Sequence, residues 1–545
     1  MQPTPLSAPW WHNAVVYQVY LRSFRDSDGD GIGDLEGLRQ GLETIADPGV
    51  DAIWINPCYV SPQHDHGYDV ANYRQVDPAY GTNDDLRAVI GQAHQLGLKV
   101  LLDLVPNHCS DQHVWFQQAI NSPAGSPERA RFHFRDQPNN WQSVFGGPAW
   151  SRAAADPTGQ WYLHLFDSTQ PDFNWANPEV AREFADVLGF WFDAGADGFR
   201  IDVAHGLAKA SGLPDWPCSG GHPGAPDAHQ VAWDQPPVHA IYTGWRQIAR
   251  RYRPERYLVG EVWVTSYQAQ AAYTRRDELH QTFDFDLLIK PWDAAEVRDG
   301  IGQYLAKGEA AALVASNHDV HRPATRFGLL DQTAGPPSWD LAAGARRVGP
   351  VDQALGRRRA LAMTGLLLAL PGTIYLYQGD ELGLPEVLDL PPAARQDPIW
   401  RRSGGADLGR DGCRVPLPWT AKGTNFGFSP SGGLAPWLPQ PASFGALARD
   451  VQEADPESHL GINRRLLRCR RIVFGAERSI GWLESPDAGL LAFTRGAGVC
   501  VVNFGDEPVR LPHQWPLGEV AVATDSANTA TVVAANSATW FGLVQ

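Results

Sequence analysis

The sequence predicts an α/β fold: a closed (β/α)₈ barrel with a small subdomain inserted after its third strand and an all-β C-terminal domain, read as a sandwich. Three observations carry this. Eight short apolar runs alternate with helical patterns over most of the chain, and strand–helix alternation implies a parallel sheet clad in helices. The runs are nearly continuous in apolar character, as strands buried on both faces must be. The last 70 or so residues, by contrast, switch to short alternating runs separated by turn residues. A doubly wound open sheet is the alternative arrangement of the first part.

The eight runs are VVYQVY (15–20), AIWINP (52–57), KVLLDLV (99–105), GFRIDV (198–203), YLVGEVW (257–263), TFDFDL (282–287), LVASNHD (313–319) and GTIYLYQG (372–379). Among the helices, 83–97 opens on TNDDL, a capping side chain followed by acids in the first turn. Helix 178–194 has Pro178 at an early position, and a last helix falls near 456–472. Residues 1–105 and 176–475 are assigned to the barrel, 106–175 to the inserted subdomain and 476–545 to the C-terminal domain. The insert is rich in Trp, Pro, Gly and Asn, and two further long segments, 211–230 and roughly 386–450, join it on the barrel rim. Connections of that length are usually functional.

Composition narrows the partners. The chain has 545 residues, 43% hydrophobic and 19% charged, with a formal net charge of −16. That charge argues against nucleic acid and anionic membrane, both of which need basic patches. No stretch reaches the ~18 consecutive apolar residues of a membrane span; the best candidate, 361–370, stops at Pro371. The N-terminus lacks the pattern of a signal peptide. Six scattered cysteines, Cys218 among them, form no framework and read as reduced thiols. A cytoplasmic location is the resulting expectation. GRRR (356–359) reads as a solvated helix face.

In a barrel, chemistry sits at the C-terminal strand ends, and polar residues crowd those ends here. Asp103, Asn107 and His108 follow the third strand. Arg200 and Asp202 lie in the fourth, Glu261 ends the fifth, and Asn317, His318 and Asp319 end the seventh. Strand side chains alternate, so Arg200 and Asp202 share a face, with the guanidinium one layer deeper. A cation there favours the ionised carboxylate, and a positioned carboxylate is a competent nucleophile. A plain buried ion pair is the alternative, but it leaves Glu261 and Asp319 unexplained. A second cluster, DSDGDGIGD (26–34), offers Asp26, Asp28, Asp30 and Asp34 as oxygen ligands suited to Ca²⁺ or Mg²⁺. YQGDELG (377–383) carries Asp380 and Glu381 at a strand end and supports no catalytic role.

DLVPNH (103–108), GFRIDVAH (198–205), GEVW around Glu261 and SNHD (316–319) resemble, in order and strand position, the four short stretches of the α-amylase family of glycoside hydrolases. QPDFNW (170–175), WWHNAVVYQVYLRSF and HGYDVANY are similar to the oligo-1,6-glucosidase group within it, and NNWQSVFGGPAW to bacterial α-glucosidases. The likeness spans residues 10 to about 475. It implies that Asp202 is the nucleophile, Glu261 the acid and then base, and Asp319 the stabiliser of the distorted sugar. His108, His318 and Arg200 would complete a pocket for the terminal glucose. Asp65 and Arg414 would hold its far hydroxyls, Tyr68 would stack on the ring, and Phe145 and Phe166 would line it. The 26–34 loop would hold a structural cation, with the carbonyl of Ile32 as a further ligand. The implied reaction is release of glucose from short oligosaccharides or disaccharides with retention of configuration. α-1,4 bonds are favoured, although Val203, next to the nucleophile, accompanies α-1,6 activity in this group. Sucrose hydrolysis, trehalose synthesis, glucosyl transfer and a non-catalytic scaffold are the other readings.

Overall fold

The computed structural model describes residues 9–216, 231–264, 266–331, 349–485 and 487–543. Cys218 and residues 217–230 of the second rim segment lie outside the described residues. Eight parallel strands close into a barrel: β1 (Val15–Val19), β2 (Ala52–Ile55), β3 (Lys99–Leu104), β4 (Gly198–Ile201), β5 (Tyr257–Gly260), β6 (Gln281–Asp284), β7 (Ala311–Val314) and β8 (Thr373–Tyr377). Each pairs with its sequence neighbours, and β1 pairs with β8, so the open-sheet alternative is excluded. Each strand falls within or beside its apolar run. The runs overshoot at their C-terminal ends, because the polar residues there leave the ladder to face the mouth.

Val16, Trp54, Leu101, Val259, Phe283, Val314 and Tyr375 fill the barrel interior. The second helix, Asn83–Gln95, starts at a capping box: Thr82 accepts from the Asp85 N–H while Asp85 reaches back to the Thr82 N–H. Helix Pro178–Asp193 is capped by Asn177, with the proline at the tolerated first turn. Helix His459–Phe474 closes the barrel region.

The insert forms a three-stranded antiparallel sheet, 134–135, 161–163 and 150–152, behind helix Val114–Ile120. The C-terminal region is a five-stranded antiparallel sheet. Its facing layer is only the two-stranded ribbon 509–510 and 532–533, so the sandwich is lopsided. Gly481–Leu483 and Ser537–Leu543 are two of its strands. The sheet packs instead on helix Gln353–Ala369, where the Trp540 indole donates to the Gly365 carbonyl at 3.0 Å. That packing corrects the reading of GRRR as a solvated face at Gly356 and Arg359, while Arg358 is exposed. Gly356 lies against the Ala324 carbonyl, and Arg359 is buried, donating to Asn536, Phe327 and Asp506.

Candidate active site

Between β3 and β4 the register pairs Asp103 with Arg200, which puts both side chains at the upper level of the barrel interior. Arg200 is buried at 2% exposure and turns both terminal nitrogens to acids. One terminal nitrogen donates to Asp103 at 3.0 Å and to Asp202 at 2.7 Å; the other donates to Glu261 at 2.7 Å. The mixed-sign strand therefore holds two acids from β3 and β5 as well as its own. A single guanidinium bridges Asp202 and Glu261, the side-by-side disposition that a glycosidic carboxyl pair requires.

Three carboxyl groups around one cation cannot all ionise cheaply. Burial pushes Asp202 well above the ordinary carboxylate range; Arg200 opposes that shift, and Glu261 and Asp103 add to it. Burial likewise raises Asp103 to about 6 against the pull of Arg200. Arg200 alone thus does not set the charge of Asp202, as the sequence suggested. Asp319 is the opposite case. Burial works against its charge, but His318, Arg410 and Arg414 outweigh it and hold the carboxyl far below the usual range. His318 is itself kept neutral by burial, so the two guanidiniums carry the effect.

A cavity of about 120 Å³ joins these groups, lined by Asp65, Tyr68, His108, Phe145, Phe166, Asp202, Glu261, His318 and Asp319 from the expected set. That is space for on the order of ten water-sized groups, comparable to the roughly twelve non-hydrogen atoms of one hexose. Tyr68 stacks on His318 at 5.3 Å, with the rings 8° apart, and its hydroxyl donates to Asp103. Gln18 donates to His318 Nδ1 at 2.8 Å, which leaves the Nε2 hydrogen facing Asp319. Val203 adopts φ 45°, a strained conformation for a β-branched residue. It turns its N–H to Glu261 at 3.2 Å and its side chain to the cavity.

Arg414 does not line the cavity. It is wholly buried behind it, donating to the His318 carbonyl at 2.8 Å and to Asp319 at 3.0 Å. The cavity arginine is Arg410, from the same rim segment. It pairs with Asp65 at 2.6 Å, Asp397 at 2.7 Å and Asp319 at 3.3 Å, and lies over the Phe145 ring. Sequence reasoning missed Arg410, as it did His205, Trp233 and Trp263. DGCR gives no spacing cue to separate two arginines four apart in one loop. Trp263 donates to Glu261 at 3.1 Å and stacks on Phe285 at 3.9 Å. Burial holds His205 neutral, with its pKa lowered to about 3.

The cation candidates divide. Carboxylate oxygens of Asp26, Asp28 and Asp34 converge within 4.8 Å of one another. Asp30 is outside that group; its carboxylate accepts the Ile32 N–H at 2.8 Å. Asp380 and Glu381 lie outside the cavity lining.

Residues 18–473 match the model of the alpha-amylase catalytic domain. The chain belongs to the alpha-amylase family. It is 35% identical over 548 residues to a probable alpha-glucosidase of Rhizobium meliloti, covering 91% of this chain and 90% of that protein. It is 32% identical to an oligo-1,6-glucosidase of Parageobacillus thermoglucosidasius, covering 92% of each. Among solved structures, an alpha-glucosyl transfer enzyme superposes with a TM-score of 0.83 at 33% identity, covering 98% and 99% of the two chains. An isomaltulose synthase variant from Erwinia rhapontici, in complex with sucrose, gives 0.84 at 29%, covering 99% and 100%. As a family member this chain is a glycoside hydrolase acting on α-glucosides. None of its described helices is long and apolar enough to cross a membrane.

Proposed function

We propose that this enzyme is a retaining, exo-acting α-glucosidase that releases terminal glucose from short α-glucosides, maltose-type α-1,4 bonds being favoured. The observation that supports this most is the Arg200 fork holding Asp202 and Glu261 together on one hexose-sized cavity. Asp202 attacks the anomeric carbon while the proton on Glu261 passes to the leaving oxygen as the glycosidic bond breaks. A water then gives its proton to Glu261, attacks the same carbon and frees Asp202. Asp319, ionised through Arg410 and Arg414, faces the positive charge that develops on the sugar. Asp65, Arg410 and His108 surround the non-reducing glucose. Val203, the residue type that accompanies α-1,6 activity in the oligo-1,6-glucosidase group, lines the cavity and favours the second reading, an α-1,6 preference.

Incubation with p-nitrophenyl α-glucoside should liberate p-nitrophenol, and proton NMR should find α-glucose as the first sugar formed. β-Glucose as first product overturns the double displacement. Maltose should be turned over faster than isomaltose; the reverse order favours the reading from Val203.

The 26–34 loop is proposed to bind a structural Ca²⁺ or Mg²⁺ through Asp26, Asp28 and Asp34, with the Ile32 carbonyl and water completing a hard-oxygen shell. Chelator should lower the melting temperature by several degrees, and added cation should restore it. An unchanged melting temperature would remove the cation from the account.

A further inference from the structure

Lys209 lies seven residues after the nucleophile and is buried with its charge. Its side chain is 1% exposed and pairs with Asp172, itself wholly buried, at 2.9 Å. It also donates to Asn107 Oδ1 at 2.8 Å and to the Gly206 carbonyl. None of this is needed for the chemistry described above. A buried ion pair is poor evidence for stability by itself, so its purpose has to be sought in what it touches.

What it touches is an amide with two possible orientations. Lys209 is donor-only and Asp172 acceptor-only, so Asn107 must turn its oxygen to the first and its nitrogen to the second. The Asn107 nitrogen is accordingly 3.1 Å from Asp172 Oδ2, and also 3.1 Å from His108 Nδ1. His108 is kept neutral by burial, with its pKa lowered to about 4. A neutral imidazole facing an amide donor at Nδ1 must accept there and carry its hydrogen on Nε2. That nitrogen lies on the side of Gln170, whose own amide is fixed: its oxygen accepts the Asp167 N–H at 2.9 Å and its nitrogen donates to Asp65 at 3.0 Å. The Gln170 nitrogen stands 3.3 Å from His108 Nε2, and the Tyr68 carbonyl is the one backbone acceptor that the ring meets among the described residues. The group that suits this place is an acceptor, the oxygen of a sugar hydroxyl.

We infer that Lys209 is a positioning residue: with Asp172 it locks the Asn107 amide, which sets the His108 tautomer so that Nε2–H is presented to a substrate hydroxyl. The same network explains why QPDFNW belongs to the site. Its Asp172 bridges to His108 in the backbone and reaches Lys209 through its side chain, joining insert to barrel.

The test compares kcat/KM for p-nitrophenyl α-glucoside and each of its monodeoxy analogues in the native enzyme, His108→Ala and Lys209→Met. One analogue, lacking the hydroxyl His108 serves, should be insensitive to His108→Ala. Lys209→Met should lower kcat/KM for the parent about tenfold, the order of one lost hydrogen bond, while leaving that same analogue almost unchanged. Because Lys209→Met strands a buried carboxylate, Lys209→Met with Asp172→Asn is run beside it, with folding checked by circular dichroism; the pattern should repeat. An equal loss for every analogue, or no loss for the parent in the folded double variant, overturns the inference. It rests on the α-glucosidase reading, and turnover of the parent glucoside by the native enzyme distinguishes failure of one from failure of the other.

Discussion

The two ends of the barrel each bury arginines and use them in opposite ways. At the mouth, Arg200, Arg410 and Arg414 are set among carboxylates. At the base, Arg470 donates to the carbonyls of Leu368, Leu370, Gly372 and Asn13. Arg495 beside it donates to the carbonyls of Ala369, Leu370 and Glu477. Burial lowers Arg470 to about 9 and Arg495 to about 10, and their mutual repulsion adds to the shift on Arg470. Burial acts in the same direction on Arg200, but the surrounding acids reverse the outcome and raise it. The base arginines stitch the final helix and the C-terminal sheet to the barrel. The mouth arginines orient acids that can do chemistry. Burial alone does not separate a structural arginine from a functional one; its partners do.

The sharpest way to break this contrast is at the mouth. Asp202→Asn should lower turnover by about four orders of magnitude or more while shifting the melting temperature by only a few degrees. Normal activity in that variant would remove the mechanism. At the base, Arg470→Met should do the reverse. It leaves buried carbonyls without their donor and should cost roughly 2–4 kcal/mol of stability in urea unfolding, with kcat of the folded protein unchanged.

The smallest effect concerns an acid at a strand end that is outside the cavity. Burial, against the pull of Arg322, raises Asp380 to about 7. A raised folded value means this group favours the folded state at low pH, and the contribution is lost as pH rises from 3.8 through about 7. Asp380→Asn should therefore become more stable relative to the native protein as pH climbs through that window, by on the order of 1–2 kcal/mol. A constant difference across pH would show that the carboxyl is not desolvated.

Much of this was legible beforehand because local chemistry repeats it. The apolar runs named all eight barrel strands, and the acids clustered at their ends named Asp202, Glu261 and Asp319. What failed did so where a residue's neighbours come from remote segments. Arg359 was read as solvated because a helix of arginines looks polar, whereas the C-terminal sheet covers it. Arg410 and Arg414 are the same residue type in one loop, and only the folded path decides which faces the cavity.

The sequence by itself determined the eight strands and the acids at their ends, since alternation and burial act over a few residues at a time; closure of the sheet is a tertiary fact. The tertiary structure alone decided how charge is shared: one guanidinium for three carboxyl groups, two for Asp319, and an amide pinned between Lys209 and Asp172. Coulombic interaction and desolvation depend on distances across the fold, which no local pattern in the chain encodes.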